Sequence, residues 1–105
     1  MQKDLKREKK KIISSILRVI KKNRSFFISS HVRPDGDSIG AQLALGSFLK
    51  RLGKEVYIAN RDPVPAIYKF LPHIDDIHVV EKVEKDFDVA FILDCSDLQR
   101  IGDII

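Results

Sequence analysis

Short apolar runs rich in β-branched and aromatic residues alternate with helical segments along the 105 residues of this chain. Four of these runs are predicted strands: residues 26–30, 55–59, 77–80 and 87–93. The last of them is nearly all apolar, which is typical of a strand covered on both faces. Strands that alternate with helices favour parallel pairing through right-handed crossovers. The alternation therefore predicts an α/β fold, with a Rossmann-like parallel sheet flanked by helices.

The longest helix between these strands is expected to begin near Ser38, with Asp37 or Ser38 as its N-cap. It is expected to end at Gly53, because glycine readily adopts the left-handed conformation that often terminates a helix. Its predicted apolar face comprises Ile39, Leu43, Phe48, Leu49 and Leu52.

Basic residues are concentrated at the N-terminus. Residues 1–24 contain ten Lys or Arg and two acidic residues, a net charge of +8, whereas residues 25–105 have a net charge of −4. Apolar residues spaced by three and four predict an amphipathic helix over residues 12–22. Such a basic helix either steers a polyanion such as RNA towards a site or is a solvated face, and the second interpretation is favoured.

The composition excludes several classes of protein. A single cysteine cannot form an internal disulfide, which argues against a disulfide-stapled secreted scaffold and favours a reducing, cytoplasmic setting. No apolar run approaches the roughly 18–20 residues that span a bilayer, so no membrane partner is expected. The length allows one small domain.

Acidic clusters follow the first and the fourth predicted strands. They contain four candidate metal ligands: His31, Asp35, Asp37 and Asp94. Ligands of open α/β sheets bind beyond the carboxyl ends of the strands, so these side chains converge if the two strands are neighbours. Carboxylates that lie so close repel one another unless a cation lies between them. Oxygen ligands with one imidazole suit Mn²⁺ or Mg²⁺, and paired ions about 3.5–4 Å apart hydrolyse phosphate esters by activating a water molecule.

Several residues in and near these clusters also have purely structural interpretations. Taken alone, Asp37 is more typical of a helix cap and Asp94 of a strand end, and it is the combination that favours a metal site. Cys95 has no evident basic partner and is expected to be a small buried residue. A third acidic cluster follows a proline turn and is expected to lie on the surface: His73, Asp75, Asp76 and His78.

A haloacid-dehalogenase-type phosphatase is a further alternative, because it also carries two Asp separated by one residue after its first strand. Its chemistry needs the first Asp at the strand tip as the nucleophile. Here Ser30 and His31 stand at the tip and Asp35 follows later, so this alternative ranks behind the metal site.

The run HVRPDGDSIG, residues 31–40, resembles the first signature motif of the DHH phosphoesterases. The second motif of that family resembles the segment that begins at Asp94 and includes Ser96, Asp97, Arg100 and Gly102. The likeness is to the bacterial nanoRNase/pAp-phosphatase branch and extends over residues 25–105. It implies a partial DHH domain in this range, preceded by a basic N-terminal helix in residues 1–24.

The resemblance also implies roles for individual residues. Four residues would bind two catalytic Mn²⁺ ions, with Mg²⁺ as the alternative: His31, Asp35, Asp37 and Asp94. Of these, Asp35, Asp37 and Asp94 would be catalytic, and Arg100 would be a weaker candidate for contact with substrate phosphate. Family members hydrolyse very short RNA oligonucleotides from one end or remove phosphate from 3′-phosphoadenosine 5′-phosphate. The expected partner is therefore a short single-stranded RNA or a nucleotide, and a homodimer is compatible with the resemblance.

The family pattern includes parts that these 105 residues lack: the Asp-His-His motif, a further metal-binding Asp and a substrate-gripping C-terminal domain. Residues 25–105 are therefore expected to be the N-terminal part of a DHH phosphoesterase domain. Expressed alone, this piece is expected to have little or no hydrolase activity. The alternative is a truncated, non-catalytic module that binds a nucleotide or a metal.

Overall fold

The computed structural model describes residues 2–30 and 34–93 of the chain, which form an α/β fold. Its four strands are β1 (Ser25–Ser30), β2 (Glu55–Asn60), β3 (Ile77–Val79) and β4 (Val89–Leu93). They form one sheet in the order β3-β2-β1-β4, and every neighbouring pair is parallel. The predicted Rossmann-like parallel sheet is therefore confirmed.

Two α-helices accompany the sheet, α1 (Gln2–Lys22) and α2 (Gly36–Arg51). The end of α2 is as predicted, because Gly53 has a φ of +78°. The Gly53 N–H donates to the carbonyl oxygen of Lys50 at 2.9 Å, and the Lys54 N–H donates to that of Leu49 at 3.0 Å. These two bonds form a Schellman motif, which satisfies carbonyl groups that the last turn leaves open.

The larger core lies on the face of the sheet that contacts the helices. Its buried members are Ile20, Phe26, Ile28, Ile39, Leu49, Ile58 and Ile77. Gly46 allows α2 to approach β2 closely, since a Cβ atom there would lie 2.6 Å from Cδ1 of Ile58.

The predicted apolar face of α2 is partly wrong. The fully buried row of the helix is Ile39, Gln42, Gly46 and Leu49, whereas Phe48 and Leu52 are 44% and 51% exposed. The row is spaced by three and four residues, as a single helix face requires, and it includes one polar residue.

The opposite face of the sheet carries a smaller, aromatic cluster. Phe27 is buried there and stacks on Phe87 with the ring centroids 5.7 Å apart. Val80, Val83 and Phe87, which belong to the connection between β3 and β4, pack against this cluster. The prediction that β4 is covered on both faces is confirmed in part for the described part of the chain, because Val89, Phe91 and Leu93 pack against the larger core and Ile92 packs against the aromatic cluster. There β4 is an edge strand, with Ala90 exposed.

Helix α1 begins earlier than the predicted helix of residues 12–22. From residue 3 to residue 22 every side chain of α1 is exposed except Ile20, which is 3% exposed and belongs to the larger core. Its Lys and Arg side chains therefore all face solvent. Within the described ranges, no helix is long and apolar enough to cross a membrane.

Candidate metal centre

The carboxyl ends of β1 and β4 lie side by side. Ser30 pairs with Leu93, and the Ser30 hydroxyl donates a hydrogen bond to the Leu93 carbonyl oxygen at 3.1 Å. The chain continues from these two residues into His31 and Asp94, so the adjacency on which the predicted convergence depends is present. His31, Asp94 and Arg100 themselves lie outside the described residues.

The boundary between β1 and β4 is also where the strand order reverses. From β1 the chain proceeds outward through β2 to β3, and it then returns to place β4 on the other side of β1. Open α/β sheets bind their ligands beyond the carboxyl ends of the strands at such a switch point. The topology therefore favours the same edge of the sheet as the acidic motifs do.

Asp35 is the N-cap of α2, which corrects the prediction that Asp37 or Ser38 fills this position. Oδ1 of Asp35 accepts from the Ser38 N–H at 2.9 Å, and the Asp35 N–H donates to the Ser38 hydroxyl oxygen at 3.0 Å. This reciprocal pair is a capping box, and Ser38 fills its third helical position rather than the cap. The cap also places Asp35 at the start of a helix. The haloacid-dehalogenase alternative requires this residue at the tip of β1, so the position of Asp35 does not fit that alternative.

Two predicted ligands lie at the first turn of α2. Asp35 and Asp37 are both exposed there, at the positive end of the helix dipole, which stabilises nearby carboxylates. Mn²⁺ and Mg²⁺ bind carboxylate oxygens in proteins. Asp35 and Asp37 therefore have the chemistry required of two of the four predicted ligands. Within residues 2–30 and 34–93, no group of three or more His, Cys, Asp or Glu could hold a metal ion.

Gly36 lies between these two acids and is in close contact with an aromatic ring. A Cβ atom at Gly36 would lie 3.1 Å from Cε1 of Tyr68, a half-buried residue of the short 3₁₀ turn Ala66–Tyr68. The missing side chain therefore lets Tyr68 pack against the start of α2, beside the two candidate ligands.

A buried pair of amide side chains, not identified from the sequence, joins α2 to the carboxyl edge of the sheet. Gln42 of α2 and Asn60 at the end of β2 are both 0% exposed. Oδ1 of Asn60 accepts from Nε2 of Gln42 at 2.8 Å, and Nδ2 of Asn60 donates to Oε1 of Gln42 at 2.9 Å. Oδ1 of Asn60 also accepts from the Ser30 N–H at 3.1 Å. The available signal was a glutamine at the helical spacing of the buried residues Ile39 and Leu49.

The third acidic cluster, which follows the proline turn, lies on the surface, as predicted. His73 and Asp75 are exposed, and Nδ1 of His73 is 3.7 Å from Oδ2 of Asp76. The same carboxylate oxygen is 3.2 Å from Nζ of Lys50. These contacts join the turn before β3 to the C-terminal end of α2, far along the helix from Asp35.

Comparison with known proteins agrees with the α/β fold. No model of a known protein family matches the chain. The bifunctional oligoribonuclease and PAP phosphatase NrnA of Thermus thermophilus is 42% identical over 65 residues, which cover 62% of this chain and 19% of that protein. The crystal structure of an exopolyphosphatase-related protein from Bacteroides fragilis matches with a TM-score of 0.78 and 29% identity, over 86% of this chain and 28% of that one.

These similarities confirm the predicted resemblance to the DHH phosphoesterases. In sequence, the similarity is to a bifunctional oligoribonuclease and PAP phosphatase. The matched part amounts to 19% of the length of that curated relative.

Proposed function

We propose that the chain carries the first part of a DHH phosphoesterase active site that binds two Mn²⁺ ions, or Mg²⁺ as the alternative. The proposed ligands are His31, Asp35, Asp37 and Asp94. The observation that carries the proposal is the pairing of Ser30 with Leu93, because it brings together the two strand ends from which the ligand-bearing segments continue.

The proposed substrates are short single-stranded oligoribonucleotides or 3′-phosphoadenosine 5′-phosphate. The name of the Thermus thermophilus relative supports this class, since it is both an oligoribonuclease and a PAP phosphatase. Bound divalent ions would supply an activated water and stabilise the charge on phosphate. The N-terminus of α2 would add backbone N–H groups, which favour a bound anion, and Arg100 is proposed to contact phosphate.

Asp35 would then have two tasks, as the helix cap and as a ligand, and substitutions can separate them. Asparagine caps a helix as well as aspartate does, so Asp35→Asn should preserve the stability of α2 while it weakens Mn²⁺ binding. Ser38→Ala is the matched control, because it removes the reciprocal bond of the capping box and keeps the carboxylate. It should lower stability and weaken Mn²⁺ binding much less than Asp35→Asn does.

The test is calorimetric titration of the full 105-residue chain with Mn²⁺. The wild-type chain should bind, and Asp94→Asn should bind at least about 10–100-fold more weakly, the loss expected for an outer-shell partner alone. Equal affinity of the wild type, Asp35→Asn and Asp94→Asn would contradict the proposed site.

A non-catalytic module that binds metal or nucleotide is the second candidate. We expect little or no Mn²⁺-dependent release of mononucleotide from a dinucleotide by these residues alone. Robust turnover would contradict this expectation and would exclude the non-catalytic candidate.

A further inference from the structure

We infer that the buried amide pair, Gln42 and Asn60, is a positioning device that fixes the segments bearing the proposed metal ligands relative to one another. The inference rests on the proposed function, because the ligands that it positions are those of the proposed site. Neither amide is proposed to touch metal or substrate.

Three hydrogen bonds at the carboxyl edge of the sheet connect the ends of its four strands, and one of them is made by the side chain of Asn60. The Asn60 carbonyl oxygen accepts from the Val80 N–H at 3.0 Å, beyond β3. Oδ1 of Asn60 accepts from the Ser30 N–H of β1 at 3.1 Å, and the Ser30 hydroxyl donates to the Leu93 carbonyl oxygen of β4 at 3.1 Å. Side chains therefore link β2 to β1 and β1 to β4 at this edge, and the bond from Asn60 to Ser30 lies beyond the last paired residues of β1 and β2, Ile28 and Ile58.

The same pair attaches α2 to this edge. Gln42 makes two reciprocal hydrogen bonds to Asn60, at 2.8 and 2.9 Å, and both side chains are fully buried. The first turn of α2 carries Asp35 and Asp37. The pair thus joins α2 to the ends of β2 and β1, and the Ser30 hydroxyl extends this link to the end of β4. The elements α2, β1 and β4 carry or lead into all four proposed ligands.

Directional bonds suit this task better than apolar packing does. Apolar contacts have no directional preference, whereas the two hydrogen bonds of a reciprocal amide pair favour one distance and one orientation. Burial of amides is costly unless their groups are hydrogen-bonded, and both amides here are paired. The second bond accepted by Oδ1 of Asn60 transmits the position of α2 to Ser30, the last residue of β1.

The decisive variant replaces both amides by apolar residues of similar shape, Gln42→Met with Asn60→Leu. Removal of both members leaves neither amide unpaired, so this double variant is expected to fold even where a single substitution does not. Ile58→Val is the matched control, because it alters a buried residue of β2 on the same face as Asn60 without touching the amide pair.

Two measurements are made on the full chain: Mn²⁺ affinity by titration and the electron paramagnetic resonance spectrum of bound Mn²⁺. The double variant should bind about 10–100-fold more weakly, as for loss of an outer-shell partner, and its Mn²⁺ spectrum should change. Ile58→Val should match the wild type in both, which separates positioning from a general loss of stability.

The outcomes distinguish this inference from the proposed function. If the wild type and the folded double variant bind Mn²⁺ equally and with the same spectrum, the positioning role is overturned and the proposed site stands. If the wild-type chain binds no Mn²⁺, the proposed function fails, and the positioning role fails with it.

Discussion

The buried interior of this chain has two regions of different chemistry. The middle of the sheet is packed with apolar side chains such as Phe26, Ile28 and Leu49, whereas its carboxyl edge buries Ser30, Gln42 and Asn60. Apolar burial stabilises a fold in proportion to the area removed from water and has little directional preference. Buried hydrogen bonds add little net stability but are costly when broken. The comparison teaches that the middle of the sheet holds the fold together, while its edge fixes geometry.

The largest effect is expected in the apolar region. Phe26 is 0% exposed and stacks on Phe91 with the centroids 6.0 Å apart. Phe26→Ala should lower the free energy of unfolding by about 3–5 kcal/mol in a denaturant titration, with Phe26→Leu as a milder control. The Mn²⁺ affinity of the molecules that remain folded should be unchanged. A loss no larger than about 0.5 kcal/mol, typical of a surface substitution, would contradict this view of the core.

A smaller effect is expected at the polar edge. Asn60→Leu removes the acceptor of the Ser30 N–H and leaves Gln42 unpaired, so it should cost about 1–3 kcal/mol of unfolding free energy. Addition of Gln42→Met should restore part of that loss, because the unpaired amide is then removed. Denaturant titrations of both single variants and the double variant test this. If the two losses simply add, the amides act independently and the comparison of the two regions fails.

The smallest effect is expected at the amino edge of the sheet. Oδ2 of Asp88 accepts from the Arg24 N–H at 2.9 Å and from the Ser25 N–H at 3.1 Å. These backbone bonds hold the pKa of Asp88 below its ordinary value. The folded state therefore favours the carboxylate. The resulting stability is present above the unfolded-state pKa and is lost as the pH falls through the folded-state pKa.

Asp88→Asn should accordingly be less stable than the wild type at neutral pH, and the difference should shrink as the pH falls below about 4. Denaturant titrations over a series of pH values measure it. Asp86→Asn changes an exposed carboxylate of the same segment and is the matched control. A stability difference for Asp88→Asn that does not vary with pH would show that the charge of Asp88 has no part in the effect.

Local signals in the sequence were sufficient for much of the fold. The strand conformation of Phe26 to Ser30 and the end of α2 at Gly53 depend mainly on residues adjacent in the sequence, so both were predictable. The cap of α2 was misplaced because Asp35, Asp37 and Ser38 are all good capping residues, and sequence alone does not choose among them.

Long-range geometry accounts for what the sequence did not predict. Phe48 and Leu52 fit the apolar periodicity of α2, but the helix packs on the sheet through the row of Ile39, Gly46 and Leu49 and leaves them exposed. Gln42 and Asn60 are 18 positions apart, and only the tertiary fold makes them partners. The candidate site was easier to propose, because three of its four predicted ligands lie within residues 31–37 and the carboxyl ends of parallel strands share one edge.

The cap formed by Asp35 has a consequence for how the chain would respond to its surroundings. The carboxylate that begins α2 is also the one that a divalent cation would compete for, so fraying of that helix and ion occupancy become linked equilibria. A cation that leaves the cap bond intact would tighten the first turn, and one that breaks it would loosen the same turn. The fraction of molecules in which the first turn of α2 is formed would therefore depend on the concentration of the divalent ion.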